Sequence, residues 1–121
     1  MTLYICGMKL ENTKAQMRKG VLELCVLSVI SEEGEAYPSD IISKLEGSQL
    51  LVKQGTLYPL LTRLKNSGLL HYTWRESTEG PPRKYYYVTE VGKEFLNGLI
   101  QTWHELVHAV QQSTKNIATN E

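Results

Sequence analysis

A chain of 121 residues has room for one domain with a core, but not for two ordinary domains or for a deep catalytic cleft plus a separate binding module. With 41% hydrophobic and 21% charged residues it reads as a globular fold rather than a disordered chain. Thirteen Lys and Arg balance thirteen Asp and Glu, which argues against a protein that coats nucleic acid through overall charge but leaves a local basic face open.

The longest apolar run, Val21 to Ile30, contains Glu23 and Ser28 and falls short of the roughly 20 apolar residues that cross a bilayer. No basic segment precedes a long apolar stretch near the N-terminus, so no signal peptide is expected. Two cysteines, Cys6 and Cys25, are too few for a disulfide framework. A cytoplasmic protein with reduced thiols, and no membrane partner, is the expectation.

Residues 1–13 show no periodicity and read as a flexible arm, within which Met8 serves as well as Met1 for a start. From about Gln16 to Glu33 a helix is predicted, with Val21, Leu22, Leu24, Cys25, Val26, Leu27, Val29 and Ile30 covering most of its circumference; it should be largely buried and end at Gly34. Pro38 opens a second helix, with Ile41, Ile42 and Leu45 inward and Gly47 as its stop. In the third, Leu57, Leu60, Leu61 and Leu64 fall at i, i+3, i+4 and i+7 and form a core stripe. Pro59 lacks an N–H and is expected in the first turn, which puts the helix start near Gly55–Leu57. Leu69 to Arg75 alternates as a strand, Glu76 to Pro82 reads as a turn, and Arg83 to Val88 as the returning strand. Thr89 then caps a final helix running to about Gln112, after which the tail frays.

Three helices, a two-stranded hairpin and a long last helix make a mainly α fold with a small β-hairpin, the winged helix-turn-helix order, in which the third helix enters the major groove. The domain boundaries that follow are an arm over 1–13, a winged helix over 14–88, a C-terminal dimerisation helix over 89–113 and a tail over 114–121. Charge is polarised accordingly. Between Lys53 and Lys84 six basic residues face two acidic ones, and between Glu32 and Glu46 five acidic residues face Lys44 alone.

Two motifs carry a resemblance. Gly55-Thr56-Leu57-Tyr58-Pro59, followed by Leu64 and Gly68-Leu69-Leu70, and Gly80-Pro81-Pro82-Arg83-Lys84-Tyr85-Tyr86, followed by Thr89-Glu90 and Gly92, resemble the PadR family of bacterial transcriptional regulators. The match spans about Met17 to Gln112, and the single C-terminal helix is similar to the short-tailed branch of the family. At the start of the second helix, Tyr37-Pro-Ser-Asp-Ile replaces the family's Gly-Tyr-Glu-Leu-like segment. The resemblance implies a dimeric DNA-binding repressor whose C-terminal helices build the dimer.

The residues expected to meet double-stranded DNA follow from this placement. Lys53 and Gln54 precede the third helix, where phosphates meet a helix N-terminus. Thr56, Pro59 and Thr62 are small enough to let that helix approach base edges, and Thr methyls can touch thymine methyls. Tyr58, Arg63 and Lys65 share its polar side with them, and the Tyr58 hydroxyl can reach a phosphate. Arg83 and Lys84 sit at the wing tip beside Pro81 and Pro82, suited to backbone or minor-groove contact. Tyr85, Tyr86 and Tyr87 alternate across the strand, which makes them core and pairing residues rather than a stacking platform.

The final helix would span roughly 36 Å at 1.5 Å per residue, more than the domain can cover. One stripe holds Val91, Phe95, Leu99 and Leu106; another holds Leu96, Ile100, Trp103, Val107 and Val110. One face packs on its own domain and the other on a second copy, a two-fold homodimer being the commonest arrangement. For Trp103 two readings stay open: an interface aromatic, or one wall of an apolar site for a planar aromatic effector, as in some PadR-like proteins.

His104-Glu105-Leu106-Val107-His108 spells the HExxH zinc-hydrolase signature. A catalytic zinc needs a third protein ligand, yet only 13 residues follow His108 and Glu121 is their sole acidic member. Neither metal nor other cofactor is expected. Cys25 reads as a small buried hydrophobe and Cys6 as an arm residue without a redox partner. The function expected is therefore a non-enzymatic repressor that binds a pseudo-palindromic operator as a homodimer and is released by a small molecule. The alternatives are a winged helix that binds ligand or protein without DNA and, more remotely, a zinc hydrolase through His104 and His108.

Overall fold

A computed structural model describes residues 4–5, 8–48, 50 and 52–117. Cys6 and the end of the tail, 118–121, lie outside the described residues. Two short strands, β1 (Tyr4–Ile5) and β2 (Met8–Lys9), pair antiparallel. Then come α1 (Leu10–Glu33), α2 (Pro38–Glu46), α3 (Gln54–Asn66), the hairpin β3 (Leu70–Ser77) and β4 (Gly80–Val88), and α4 (Glu90–Thr114). Among the described residues no helix is long and apolar enough to cross a membrane.

The core gathers one face from each element. Val26, Leu27 and Ile30 of α1, Ile41 and Leu45 of α2, Leu57, Leu60, Leu61 and Leu64 of α3, Leu70, Tyr86 and Val88 of the hairpin and Leu96 of α4 are all buried in a single cluster. The leucine stripe of α3 is thus its inner face, as expected.

The first helix departs from the sequence reading twice. It starts at Leu10 rather than near Gln16, so the segment read as an arm holds two strands and the first helical turn. Good helix formers, among them Glu11, Lys14, Ala15 and Gln16, carry it there, with a Lys14–Glu11 pair at 3.6 Å, and none of them needs an apolar period because this half is exposed. Only Val26, Leu27 and Ile30 of α1 are fully buried; Val21, Leu22, Leu24, Cys25 and Val29 are half-covered. One chain does not enclose this helix.

The hairpin is longer than expected. Leu70 pairs with Val88, Tyr72 with Tyr86, Trp74 with Lys84, Arg75 with Arg83 and Ser77 with Gly80, with a register shift between Arg75 and Ser77. The turn is only Thr78-Glu79, and Gly80, Pro81 and Pro82 belong to β4. A two-stranded ribbon leaves each strand an outer edge, where the missing N–H of a proline costs no ladder bond.

Two glycines fix how α3, the hairpin and α4 join. Gly68 has φ 81° and closes α3: the Gly68 N–H donates to the Lys65 carbonyl and the Leu69 N–H to the Leu64 carbonyl, both at 3.0 Å. This is the paired 5→2 and 6→1 pattern that favours glycine at the left-handed position. At the other end, Thr89 Oγ1 accepts the Gly92 N–H at 3.0 Å, capping α4, and donates to the Gly68 carbonyl at 2.7 Å. The Thr89 N–H reaches the Leu69 carbonyl at 3.1 Å. A Cβ on Gly92 would lie 2.1 Å from that carbonyl oxygen and 2.8 Å from Val88 Cγ1, so only glycine lets α4 approach this closely.

The candidate nucleic-acid interface

The outer face of α3 carries the predicted contacts. Lys53 is the N-cap and its carbonyl accepts the Leu57 N–H at 2.9 Å, so Gln54 is the first helical residue rather than a residue before the helix. Pro59 is accordingly the sixth helical residue and not in the first turn. The carbonyl it leaves without a donor four residues back is that of Gly55, an exposed residue where water can take up the lost bond, so the helix runs on. Thr56, Tyr58, Pro59, Thr62 and Arg63 are all exposed around this face, and Lys65 is partly so.

Between α3 and the hairpin lies a groove. Tyr58 and Thr62 form its helix side; Trp74, Pro81, Pro82, Arg83 and Lys84 form its wing side; Tyr37 and Pro38 close one end. Tyr58 remains 45% and Trp74 60% exposed, large aromatic surfaces that the domain leaves open. The arrangement depends on the link before α2. Ala36 bridges Tyr86, each donating its N–H to the other's carbonyl at 2.9 Å, and Glu35 pairs with Arg75 on β3. The Tyr37 N–H donates to Asp40 Oδ2 at 3.2 Å in the first turn of α2. These bonds set the wing against α2 and aim its cations.

Each wing cation rests on a ring. The Arg83 guanidinium lies 4.7 Å from the Tyr37 ring centre, and Lys84 Nζ lies 4.6 Å from that of Tyr72 and 5.3 Å from that of Trp74. Lys65 Nζ, from α3, is 5.7 Å from the same Tyr72 ring. Cation–π contact of this kind orients the cation without neutralising it. Arg83 and Lys84 stand opposite Arg75 and Trp74, on the flank of the ribbon rather than at its tip. Burial pushes the Tyr86 phenol above its ordinary pKa, with smaller contributions from Tyr72 and Tyr58, so it stays uncharged beneath the groove.

Arg83 and Lys84 are therefore brought to one groove with Tyr58 and Thr62, and Lys65 shares the Tyr72 ring with Lys84. Lys53 and Thr56 lie on the opposite flank of α3, beside Arg18 and Lys19 of α1. Arg63 pairs instead with Glu23 of α1 at 3.7 Å; both side chains keep substantial exposure, so the pair is weak and exchangeable. The sequence reading missed Tyr37, Trp74, Arg18 and Lys19. For Tyr37 and Trp74 the available signal was aromatic residues next to the basic wing; Arg18 and Lys19 required knowing that α1 runs alongside the start of α3.

On α4, Leu96 is corrected. It is 6% exposed and sits in the domain's own core beside Gly92 and the partly covered Leu99, because this part of α4 crosses α1 and the hairpin. The same helical face continues beyond the domain as Ile100, Trp103 and Val110, all exposed, and the partly covered Val107. Trp103 is 42% exposed. Leu106, Val91 and Phe95 are exposed as well, and of the first stripe Leu99 alone packs against the core. His104 and His108 are exposed on α4, and among the described residues no group of three His, Cys, Asp or Glu is placed to hold a metal ion.

Comparison with known proteins agrees with this geometry. The PadR-like family of transcriptional regulators matches residues 26–98, from the core of α1 into α4. A PadR-like transcription factor from Bacteroides fragilis is 55% identical, with a TM-score of 0.71 over 84% of this chain and 97% of that one. A PadR family regulator from Eggerthella lenta is 31% identical, with a TM-score of 0.80 over 88% and 93% of the two chains. A third, from Bacillus cereus, is 37% identical, with a TM-score of 0.74 over 84% and 98%. These relatives are regulators of transcription, not enzymes. With the winged helix, both signature motifs and relatives matched over nearly their whole length, the chain belongs to the PadR-like family of transcriptional regulators.

Proposed function

We propose that the protein is a homodimeric repressor that binds a pseudo-palindromic operator in the cytoplasm and is released when a small molecule occupies the space between its C-terminal helices. The observation that carries the DNA part is the groove in which Tyr58 and Thr62 of α3 face Arg83 and Lys84 of the wing. A helix with small residues outward can enter the major groove while cations beside it hold the backbone. The dimer part rests on the bare apolar face of α4 beyond Leu99, which water contacts in one chain and a second copy would cover. Trp103 lies on that face, and its two-fold mates would flank a planar aromatic compound. Such a compound relieves repression only by preferring the DNA-free arrangement, since equal affinity for both shifts nothing.

Titration of random-sequence duplex at several salt concentrations tests the DNA reading. Each neutralised phosphate contributes about 0.9 to the slope of log affinity against log salt. Arg83→Ala with Lys84→Ala should weaken binding to all sequences and flatten that slope. An unchanged slope would remove the wing from the interface.

A further inference from the structure

The cations of this chain sort by whether a carboxylate holds them. Lys14, Lys44, Arg63, Arg75 and Lys93 are paired with Glu11, Glu33, Glu23, Glu35 and Glu90. Among the described residues, Arg18, Lys19, Lys53, Lys65, Arg83, Lys84 and Lys115 have no carboxylate partner. Lys115 stands apart at the end of α4; the other six form two groups on opposite flanks of α3. Lys65, Arg83 and Lys84 stand on the wing side over aromatic rings. Arg18, Lys19 and Lys53 ring a hollow on the α1 side whose floor is Leu22, Leu50 and Val52. Glu23, one turn beyond Lys19 on α1, lies against Arg63 at 3.7 Å rather than against Arg18, Lys19 or Lys53.

Groove dimensions give the second group a use. The major groove is roughly 12 Å wide, and an α-helix with its side chains is roughly 10–12 Å across. A helix seated there has a phosphate strand against each flank, and the wing reaches only one of them. We propose that Arg18 and Lys19 of α1, with Lys53, hold phosphates of the opposite strand, so that α3 is clamped from both sides. The apolar floor lets the long stems of Arg18 and Lys19 lie down while their charged ends stay in water and face the DNA. This inference rests on the DNA-binding reading and adds phosphate anchors that neither the recognition helix nor the wing supplies.

The test compares salt slopes for four full-length proteins on random-sequence duplex: wild type, Arg18→Ala/Lys19→Ala, Arg83→Ala/Lys84→Ala and Lys14→Ala/Lys93→Ala. The α1 variant should lower the slope by up to about 1.8 for each protomer, at about 0.9 for each phosphate that goes unneutralised. The Lys14/Lys93 variant removes the same charge from cations that line neither the hollow nor the groove and should leave the slope unchanged. Arg18→Lys/Lys19→Arg should restore the wild-type value. An α1 variant with an unaltered slope, beside a wing variant with a reduced one, overturns the two-sided clamp alone. A wild type with no salt-dependent affinity for duplex overturns the DNA-binding reading itself.

Discussion

Replacing Gly92 by alanine inside α4 ought, by helix propensity alone, to stabilise the protein by about 0.8–1 kcal/mol. The structure reverses the sign. The new Cβ would meet the Leu69 carbonyl oxygen at 2.1 Å and Val88 Cγ1 at 2.8 Å. The first of these is backbone and cannot rotate away. That oxygen also accepts from the Thr89 N–H at 3.1 Å, so displacing it loosens the anchor of α4. Overpacking of this kind costs about 1–3 kcal/mol, and each weakened hydrogen bond adds about 0.5–1.5 kcal/mol. Gly92→Ala should therefore destabilise by about 1–3 kcal/mol after the propensity gain is subtracted. Gly98→Ala, six residues on in the same helix with nothing within 4 Å of its Cβ, should instead stabilise by about 0.5–1 kcal/mol. Urea denaturation at one fixed protomer concentration measures both, since a dimer's stability depends on concentration. A Gly92→Ala protein as stable as Gly98→Ala would refute the close approach of α4 to Leu69.

Truncation after Gly98 keeps the buried Leu96 but removes Ile100, Trp103, Leu106 and Val110; sedimentation should show a folded monomer that has lost tight DNA binding, and a truncated dimer would place the interface elsewhere. Trp103→Ala should abolish the fluorescence response to a panel of flat aromatic compounds while leaving the dimer intact, and equal binding by wild type and variant would rule out a site at Trp103. Burial raises the Cys25 thiol above its ordinary pKa, so in a Cys6→Ser background iodoacetamide at neutral pH should alkylate it more slowly in the folded protein than in urea; equal rates would contradict its half-buried placement. Chelation should leave DNA affinity unchanged, because His104 and His108 have no third ligand near them among the described residues; a loss restored by zinc would reopen the HExxH reading.

Elements defined by what they bury were legible in the sequence. The leucines of α3 repeat at helical spacing because one face meets the core, and Thr89 and Gly92 mark the start of α4 because the chain needs a cap and a close approach there. Elements that bury little were not. The exposed half of α1 has no period to read, and Pro59 reads as a first-turn residue because the sequence does not show that Gly55, four residues back, is exposed. Leu96 shares a helical face with Trp103, and only the position where α4 leaves its domain separates the buried residue from the exposed one. The groove was legible in part. Its cations and Tyr58 follow from order and charge, whereas Tyr37 enters through the Ala36–Tyr86 bridge, which joins residues far apart in sequence.

Selection of bound duplexes from a random-sequence library by the purified full-length protein tests dimeric operator recognition most directly. Two α3 helices related by a two-fold axis should enrich pseudo-palindromic sites whose half-sites lie about one helical turn, or a multiple of it, apart. Their enrichment should fall when Tyr58 and Thr62 are both replaced by alanine. Enrichment of a lone unrepeated half-site, or none over the input library, would contradict it.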